Sequence, residues 1–357
     1  MTHKTAEAQT GMDRRDFVRI MGIGAAALSL GGAEGCSPRR PPNVIFIMAD
    51  DLGYGEVGCY GQTKIRTPSI DRIAAEGVRF TQHYSGSPVC APSRCVLLTG
   101  LHTGHAYIRD NDEMNERGDV WHDPDREGQR PLLEDTYTLG TLFQSAGYAT
   151  GAIGKWGLGG PESSGHPNRQ GFDHWYGYLC QRVAHNYYPT HLWRNGEKDI
   201  LEGNDYFYPH QRLPEDADPL DPEAYAPYTG PVYSMDAMAE EARSFIRSHA
   251  GEPFFLYAPW TPPHTNSTIP EDDPAWELYA DKPWSLGEKI QAAMISIIDR
   301  QVGEVLDTLS DPDGDGETAD SVLENTIVFF SSDNGGTNNV AYARNGILRG
   351  HKTSLYE

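Results

Sequence analysis

The residues best suited to chemistry form the pentapeptide Cys-Ala-Pro-Ser-Arg at positions 90–94. Pro92 suits the first turn of a helix, where the N–H that proline lacks would be unpaired in any case. Cys90 is therefore predicted at a helix N-terminus, where free N–H groups and the helix dipole favour anions. Arg94, one turn later, adds a fixed positive charge to the same face. The spacing predicts a nucleophile-capable side chain beside a cradle for a tetrahedral oxyanion.

Two apolar runs, at 43–49 and 326–330, lead into oxygen-bearing side chains. Their length and β-branched content are typical of strands buried on both faces of a parallel sheet. Ligands of open α/β sheets bind at the carboxyl ends of strands. The side chains that follow the two runs are therefore predicted to share one site: Asp50, Asp51, Asp333 and Asn334. Such hard oxygen ligands suit Ca²⁺, with Mg²⁺ as the alternative, and no Cys/His spacing indicates zinc.

The sequence between these runs alternates between helical and strand patterns, as α/β folds do. The predicted elements are helices at 68–76, at 138–146 and from a Ser285-x-x-Glu288 capping box onward, and strands at 78–84, 148–153 and 254–258. Residues 161–232 are rich in Tyr, Pro, His, Asn and Asp and have little periodicity. They are interpreted as loops over the site, a substrate-recognition region.

Together these segments resemble the formylglycine-dependent type I sulfatases, arylsulfatase-like members of the alkaline phosphatase superfamily. The resemblance covers roughly residues 43–357, with its motifs in the expected order. It implies an α/β fold with a mainly parallel central sheet flanked by helices. It also implies that a formylglycine-generating enzyme oxidises Cys90 to an aldehyde, whereas the alternative for this cysteine is a buried structural thiol.

The resemblance assigns roles to residues. The implied catalytic residues are Cys90, Arg94, Lys155, His264 and Lys352, and the implied metal ligands are Asp50, Asp51, Asp333, Asn334 and Cys90 as formylglycine. One hydroxyl of the hydrated aldehyde would attack sulfur to give a covalent sulfo-enzyme, and the second would collapse to the aldehyde and expel sulfate. The cation would polarise a sulfate oxygen, the basic side chains would balance charge, and His264 would protonate the departing alkoxide. A sulfated carbohydrate is the expected substrate, by analogy with secreted bacterial sulfatases.

One position departs from the family pattern. The family normally has a histidine two residues after the lysine, where this chain has Gly157. Because that histidine assists the formylglycine, another imidazole is expected to fill the space. His185 is favoured as a substrate-binding residue there, and His105 is interpreted as a surface loop residue.

The first 36 residues are interpreted as a twin-arginine (Tat) export signal, because an Arg-Arg pair at 14–15 precedes an apolar stretch too short to span a bilayer. Cys36 follows a loose lipobox, and a lipid anchor there or simple cleavage nearby are both left open. Residues 37–42 are predicted to be a linker and 43–357 a catalytic domain that lacks the usual C-terminal subdomain. The expected location is the periplasm or cell envelope, reached through the Tat machinery.

Composition excludes some functions and leaves others open. The net charge of −22 argues strongly against binding to nucleic acid. Five cysteines form no evident disulfide framework. Two alternative functions are left open: a phosphodiesterase or phosphonate monoester hydrolase of the same fold, and a non-catalytic glycan-binding protein or inactive fragment.

Two further patterns have structural interpretations. The acidic segment 311–316 resembles the start of a calcium loop, but Val322 stands where a bidentate acid belongs, so a solvated turn is predicted. The aromatic residues between 187 and 208 are predicted either to stack on sugar rings or to fill a loop-rich core.

Overall fold

The structure is a computed structural model that describes residues 40–111, 127–205, 216–218, 221–264, 268–337 and 344–356. The predicted export signal, Cys36 and the first part of the predicted linker lie outside these residues. Within the described ranges, no helix is both long and apolar enough to cross a membrane.

The described strands form one seven-stranded sheet in the order β5-β4-β3-β2-β6-β1-β7. The strands are β1 (Asn43–Ala49), β2 (Ala149–Lys155), β3 (His174–Tyr178), β4 (His191–Arg194), β5 (Glu197–Ile200), β6 (Phe254–Pro259) and β7 (Thr326–Ser332). From β3 to β7 across the sheet, neighbouring strands are parallel, whereas β4 and β5 form an antiparallel hairpin at the far edge. The mainly parallel central sheet predicted from the sequence is confirmed.

Helices cover both faces of this sheet. They are α1 (Pro68–Glu76), α2 (Cys90–Thr99), α3 (Leu139–Ser145), α4 (Ser234–His249), the short α5 (Pro274–Glu277) and α6 (Leu286–Ser310). One apolar core joins the sheet to α1, α4 and α6, and a second joins its other face to α2 and α3. The predicted capping box at the start of α6 is present, with Ser285 and Glu288 accepting each other's backbone N–H groups.

The N-terminus of α1 is capped from a distant part of the chain. Thr67 at the N-cap position makes no side-chain capping bond. Instead, the carboxylate of Asp299 on α6 accepts the N–H groups of Ser69 and Ile70, at 3.1 and 2.8 Å. These first-turn donors have no partner within the helix, so α6 both packs against α1 and satisfies its end.

Three predictions about secondary structure were wrong. Residues 78–84 form no strand, because they pair with no strand among the described residues and lie exposed. Strand β7 is not buried on both faces: Ile327 and Phe329, which share one face of this edge strand, are exposed because the described residues leave that face uncovered at β7. Residues 161–232 are not all loops, since β3, β4 and β5 fall within them.

The remaining structural interpretations agree with the fold. Cys95 and Cys180 are buried, Cys59 is partly buried, and all are free thiols. The 311–316 segment is an exposed turn whose carboxylates accept N–H groups of the same turn. Of the aromatic set, Tyr187, Tyr188 and Trp193 are buried core residues, and residues 206–208 lie outside the described ranges.

Candidate active site

Four of the five predicted metal ligands, the side chains that follow β1 and β7, meet where these two strands end. Parallel pairing in register sets Ala49 opposite Ser332, so the residues that follow each strand emerge side by side. All four side chains are almost completely buried. The Asn334 side-chain amide donates to Asp51 Oδ1 at 2.6 Å, and the backbone N–H of Asp51 lies 3.3 Å from Asp333 Oδ1. The sheet thus gathers three carboxylates and one amide in a space from which water is excluded.

Basic side chains from three other segments compensate these carboxylates. Arg94 on α2 donates through Nε and Nη2 to Asp333 Oδ2, at 3.1 and 2.8 Å, and its Nη2 lies 3.3 Å from Asp50 Oδ2. Lys155, the last residue of β2, forms a buried ion pair with Asp50. Lys352 Nζ lies 2.8 Å from Asp51 Oδ1. Each buried carboxylate therefore has a cation in contact with it, as burial of charge requires.

Burial and these charges move the pKa values of the acids in different directions. Burial opposes ionisation of Asp50, but Lys155, His264 and Arg94 outweigh it and hold its pKa well below the ordinary value. Burial and the neighbouring Asp50 charge raise the pKa of Asp333 to about 7, although Arg94 lowers it. Of these two carboxylates, Asp333 is therefore the less stabilised in its charged form.

Cys90 lies at the centre of this cluster, on the first turn of α2 as predicted. Its thiol is 2 % exposed and donates to Asp50 Oδ1 at 3.3 Å. Burial and the Asp50 carboxylate raise the pKa of this thiol well above its ordinary value. As a cysteine it is neutral, whereas cysteine nucleophiles act as thiolates with lowered pKa values.

Two histidines border the more open side of the cluster. His264 Nε2 lies 3.1 Å from Lys352 Nζ and 3.5 Å from Asp51 Oδ2. The ring of His185 stacks on that of His264, with centroids 4.3 Å apart and planes 12° apart. Tyr187 and Gln291 hold the segment that carries His264 by donating to the carbonyls of His264 and Pro263. His105, in contrast, is exposed on a loop, as its surface interpretation predicted.

The structure therefore brings together every side chain predicted for the site, including His185. Sequence reasoning missed supporting residues that act across long chain separations. Arg344 donates to Glu56 Oε1 at 2.8 Å and to the carbonyl of Asp51 at 2.9 Å. Asn111 accepts the N–H of Ala91 at 2.9 Å. None of these residues stands in a local motif, so the sequence carries no signal that would have indicated them.

The donor set fits a hard divalent cation. Oxygen, sulfur and nitrogen atoms of Asp50, Asp51, Cys90 and His264 lie within 4.8 Å of one another. Asn334 Oδ1 is buried and has no hydrogen-bond partner in the described part of the chain. A buried amide oxygen without a partner is costly, and Ca²⁺ accepts such oxygens together with carboxylates. Asp50, Asp51, Asp333 and Asn334 would hold the ion.

Comparison with known proteins agrees with this geometry. Residues 42–357 match the family model Sulfatase. The chain is 31% identical to the N-acetylgalactosamine-6-O-sulfatase of Bacteroides thetaiotaomicron, with 89% of this chain and 66% of the relative aligned. It is 31% identical to the human N-acetylgalactosamine-6-sulfatase, with 85% and 51% aligned. The chain thus spans between about half and two thirds of the length of these relatives.

A solved structure shares the fold. The crystal structure of Ps i-CgsB superposes with a TM-score of 0.66 at 27% identity, covering 89% of this chain and 63% of that one. The residues that match the family model include the whole described sheet and all residues of the candidate site. A shared fold, the order of the motifs and the converged acidic and basic side chains lead to one conclusion: this chain belongs to the sulfatase family.

Proposed function

We propose that this protein hydrolyses a sulfate ester of a carbohydrate, with residue 90 as formylglycine and a bound divalent cation, Ca²⁺ or Mg²⁺. The observation that carries the proposal is the setting of Cys90. Its thiol is buried among Asp50, Arg94 and Lys155, and its raised pKa leaves it a poor nucleophile as it stands. Basic side chains surround residue 90 as they would surround a bound sulfate, yet the thiol itself is unreactive. Conversion of the thiol to another group explains this combination.

The modified residue and the ion supply chemistry that the unmodified side chains lack. As a hydrated aldehyde, residue 90 supplies one hydroxyl to attack sulfur and a second whose loss of a proton re-forms the aldehyde and releases sulfate. The cation supplies polarisation of a sulfate oxygen and favours the ionised hydroxyl.

The chain's own cations set where the sulfate group lies. Arg94 and Lys155 are fully buried on the floor of the site beside residue 90. Lys352 is more open, with 15% of its side chain exposed. A sulfate group that enters from the side of Lys352 would contact Lys155 and Lys352. These two cations would stabilise the negative charge that develops on the sulfate and leaving-group oxygens as the S–O bond breaks. Preorganised charges of this kind contribute most where water is excluded.

We infer that His264 acts on the leaving group. It lies next to Lys352, the more exposed of the basic side chains in the cluster. An alcohol that departs opposite the attacking hydroxyl leaves toward this side, so a protonated His264 would donate to the ester oxygen. His185, stacked on His264, borders the same opening and would contact the sugar.

The substrate class is supported by the relatives. Relatives that align with more than four fifths of this chain include an N-acetylgalactosamine-6-O-sulfatase and an N-acetylgalactosamine-6-sulfatase. Ps i-CgsB has also been solved in complex with k-i-k-neocarrahexaose, at 27% identity and a TM-score of 0.66 to this chain. These names favour a sulfated glycan over a simple aryl sulfate as the natural substrate.

The burial of Cys90 also bears on its partners. Since the thiol is 2 % exposed in the fold, a formylglycine-generating enzyme would act before the chain folds. Export through the Tat machinery moves folded proteins, so modification in the cytoplasm would precede delivery to the periplasm or cell envelope.

The test begins with the protein produced together with a formylglycine-generating enzyme. The mass of the tryptic peptide 80–94 is expected to show the aldehyde at residue 90. Turnover is then measured on aryl sulfate and aryl phosphate with the same leaving group. Sulfate release that is lost in Cys90→Ala and kept in Cys95→Ala, a buried cysteine on the same helix, supports the proposal. An unmodified thiol, or faster release of phosphate, would overturn it.

A further inference from the structure

The space beside Gly157 is already occupied. A Cβ atom at this position would lie 2.5 Å from Cγ and 2.9 Å from Cδ of Gln181, and 3.1 Å from Oε1 of Gln129. Gly157 also has φ +75°, which side-chain-bearing residues rarely adopt. The side chain expected at position 157 is therefore replaced by buried amides from two other segments.

These amides form a chain of hydrogen bonds that leads to residue 90. The backbone N–H of Gln181 donates to Gln129 Oε1 at 3.0 Å, and Gln181 Nε2 donates to Asn111 Oδ1 at 3.2 Å. Asn111 Oδ1 also accepts the N–H of Ala91 at 2.9 Å. Gln181 and Gln129 are almost completely buried and Asn111 is partly buried, so most of this amide chain (Gln129, Gln181, Asn111) is shielded from competing water.

The amide chain ends at the backbone N–H of Ala91, a donor that has no partner within α2. Val89, the N-cap residue, makes no side-chain capping bond. The N–H of Ala91 belongs to the first turn, whose donors have no partner within the helix. Because the peptide between Cys90 and Ala91 is planar, holding its N–H also holds the Cα of residue 90. The amide chain thereby limits the direction in which that side chain points.

We propose that Asn111 and Gln181 are positioning residues for residue 90, and that their amide chain takes over the space of a side chain at position 157. Asn111 caps the first turn of α2, and Gln181 fixes the orientation of the Asn111 amide so that its oxygen faces Ala91. This rests on the proposed function in taking residue 90 as the nucleophile, but the capping itself is independent of activity.

Two measurements test the proposal on the full chain carrying formylglycine. In Asn111→Ala, amide hydrogen exchange of the peptide that contains Ala91 is expected to accelerate about fivefold, the value of one ordinary hydrogen bond. On an aryl sulfate, kcat is expected to fall about tenfold or more while KM changes less than about twofold, because the nucleophile is displaced rather than the substrate site. Gln181→Leu fills the same space without the donor and should give the same kcat defect.

Matched variants separate positioning from simple loss of stability. Asn111→Asp keeps the accepting oxygen and should restore most of kcat. Gln144→Leu removes an exposed glutamine on α3 that hydrogen-bonds Asp173 and makes no contact with the amide chain, and it should leave both measurements unchanged. Effects of Asn111→Ala and Gln181→Ala should be non-additive, since both break one chain.

The outcomes separate the positioning role of the amide chain from the proposed sulfatase function. Unchanged exchange at Ala91, or an unchanged kcat in both Asn111→Ala and Gln181→Leu, would overturn the positioning role. If the unaltered protein releases no sulfate, the proposed function fails, and the exchange measurement still decides the amide chain. If Asn111→Ala does not fold, Asn111→Asp and Gln181→Leu carry the same comparison.

Discussion

Replacing Arg94 by methionine tests whether the guanidinium holds the two halves of the acidic cluster together. Arg94 touches Asp333, which follows β7, and Asp50, which follows β1. Methionine has a similar length and no charge. In the absence of divalent cations, the variant leaves both carboxylates buried with one counter-charge fewer.

The size of the effect follows from burial. Both members of the Arg94–Asp333 pair are fully buried, with side-chain exposures of 0%. Removing one partner of such a pair costs about 3–5 kcal/mol, because the remaining charge is uncompensated. Set against a total stability of roughly 5–15 kcal/mol for a domain, the loss is easily measured.

The loss should also depend on pH in a defined direction. The pKa of Asp333 is raised to about 7, mainly by burial and by Asp50, while Arg94 lowers it. Without Arg94 it rises further. A carboxyl with a raised pKa holds a proton in the folded state that it releases on unfolding, so the free energy of unfolding falls as pH rises toward that pKa. The deficit of the variant should therefore grow as pH rises above about 7.

The assay is urea unfolding in a chelating buffer at about pH 6 and about pH 8.5. Arg72→Met is the matched control, because Arg72 forms an exposed pair with Glu76 on α1 that is worth at most about 0.5 kcal/mol. Equal stability of Arg94→Met and the unaltered protein at the higher pH would refute the reasoning. A deficit that does not vary with pH would refute the part that depends on Asp333.

Three further predictions follow from the same structure. Burial and the neighbouring His264 and Lys155 hold the pKa of His185 well below its ordinary value, so the unaltered protein should lose stability as pH falls below about 6.5, at up to about 1.4 kcal/mol per pH unit. His185→Phe should lose that slope in thermal unfolding, and equal slopes would contradict the assignment. Asp299→Ala removes the cap of α1 and should cost about 1–2 kcal/mol in urea unfolding, where a loss below about 0.5 kcal/mol would count against capping. Added Ca²⁺ should raise the free energy of unfolding by about 2.7 kcal/mol at a hundred times its Kd, and Asp50→Asn should abolish this gain if the ion binds as proposed.

The parts of the fold that sequence predicts well carry local signals. α1 begins at a proline and stops at a glycine, and α6 opens with a capping box. β1 and β6 are continuous apolar runs, as fully buried parallel strands must be. The gathering of the acidic residues could also be predicted, because the carboxyl ends of parallel strands meet at one edge.

The wrong predictions of strands share one physical cause: a strand forms only by pairing with another strand. Residues 78–84 have strand-like composition, yet a strand exists only where another strand pairs with it. β4 and β5 are only four residues each, too short for a clear period, and become strands by pairing with β3 and with each other. A single sequence does not show which strands of the sheet have a free edge for another strand to pair with.

A similar dependence on distant partners hid part of the candidate site. Asn111 and Gln181 contact each other across 70 positions of the chain, and Arg344 reaches Asp51 across 293. Their residue types are ordinary, and their neighbours in sequence show no period or spacing that indicates chemistry. Gly157 indicated in the sequence that the usual histidine side chain is absent, but the sequence did not show which residues occupy that space.

The position of β7 at the edge of the described sheet has a consequence for the lifetime of a bound ion. Asp333 and Asn334 follow a strand that is hydrogen-bonded to β1 on one side only within the described residues, whereas Asp50 and Asp51 follow a strand paired on both sides. Strands with fewer bonds and exposed side chains open more often than central ones. Each opening of β7 would withdraw two ligands while the other two stay in place. The dissociation rate of the cation would then follow the opening rate of this strand rather than the strength of any single metal–oxygen bond.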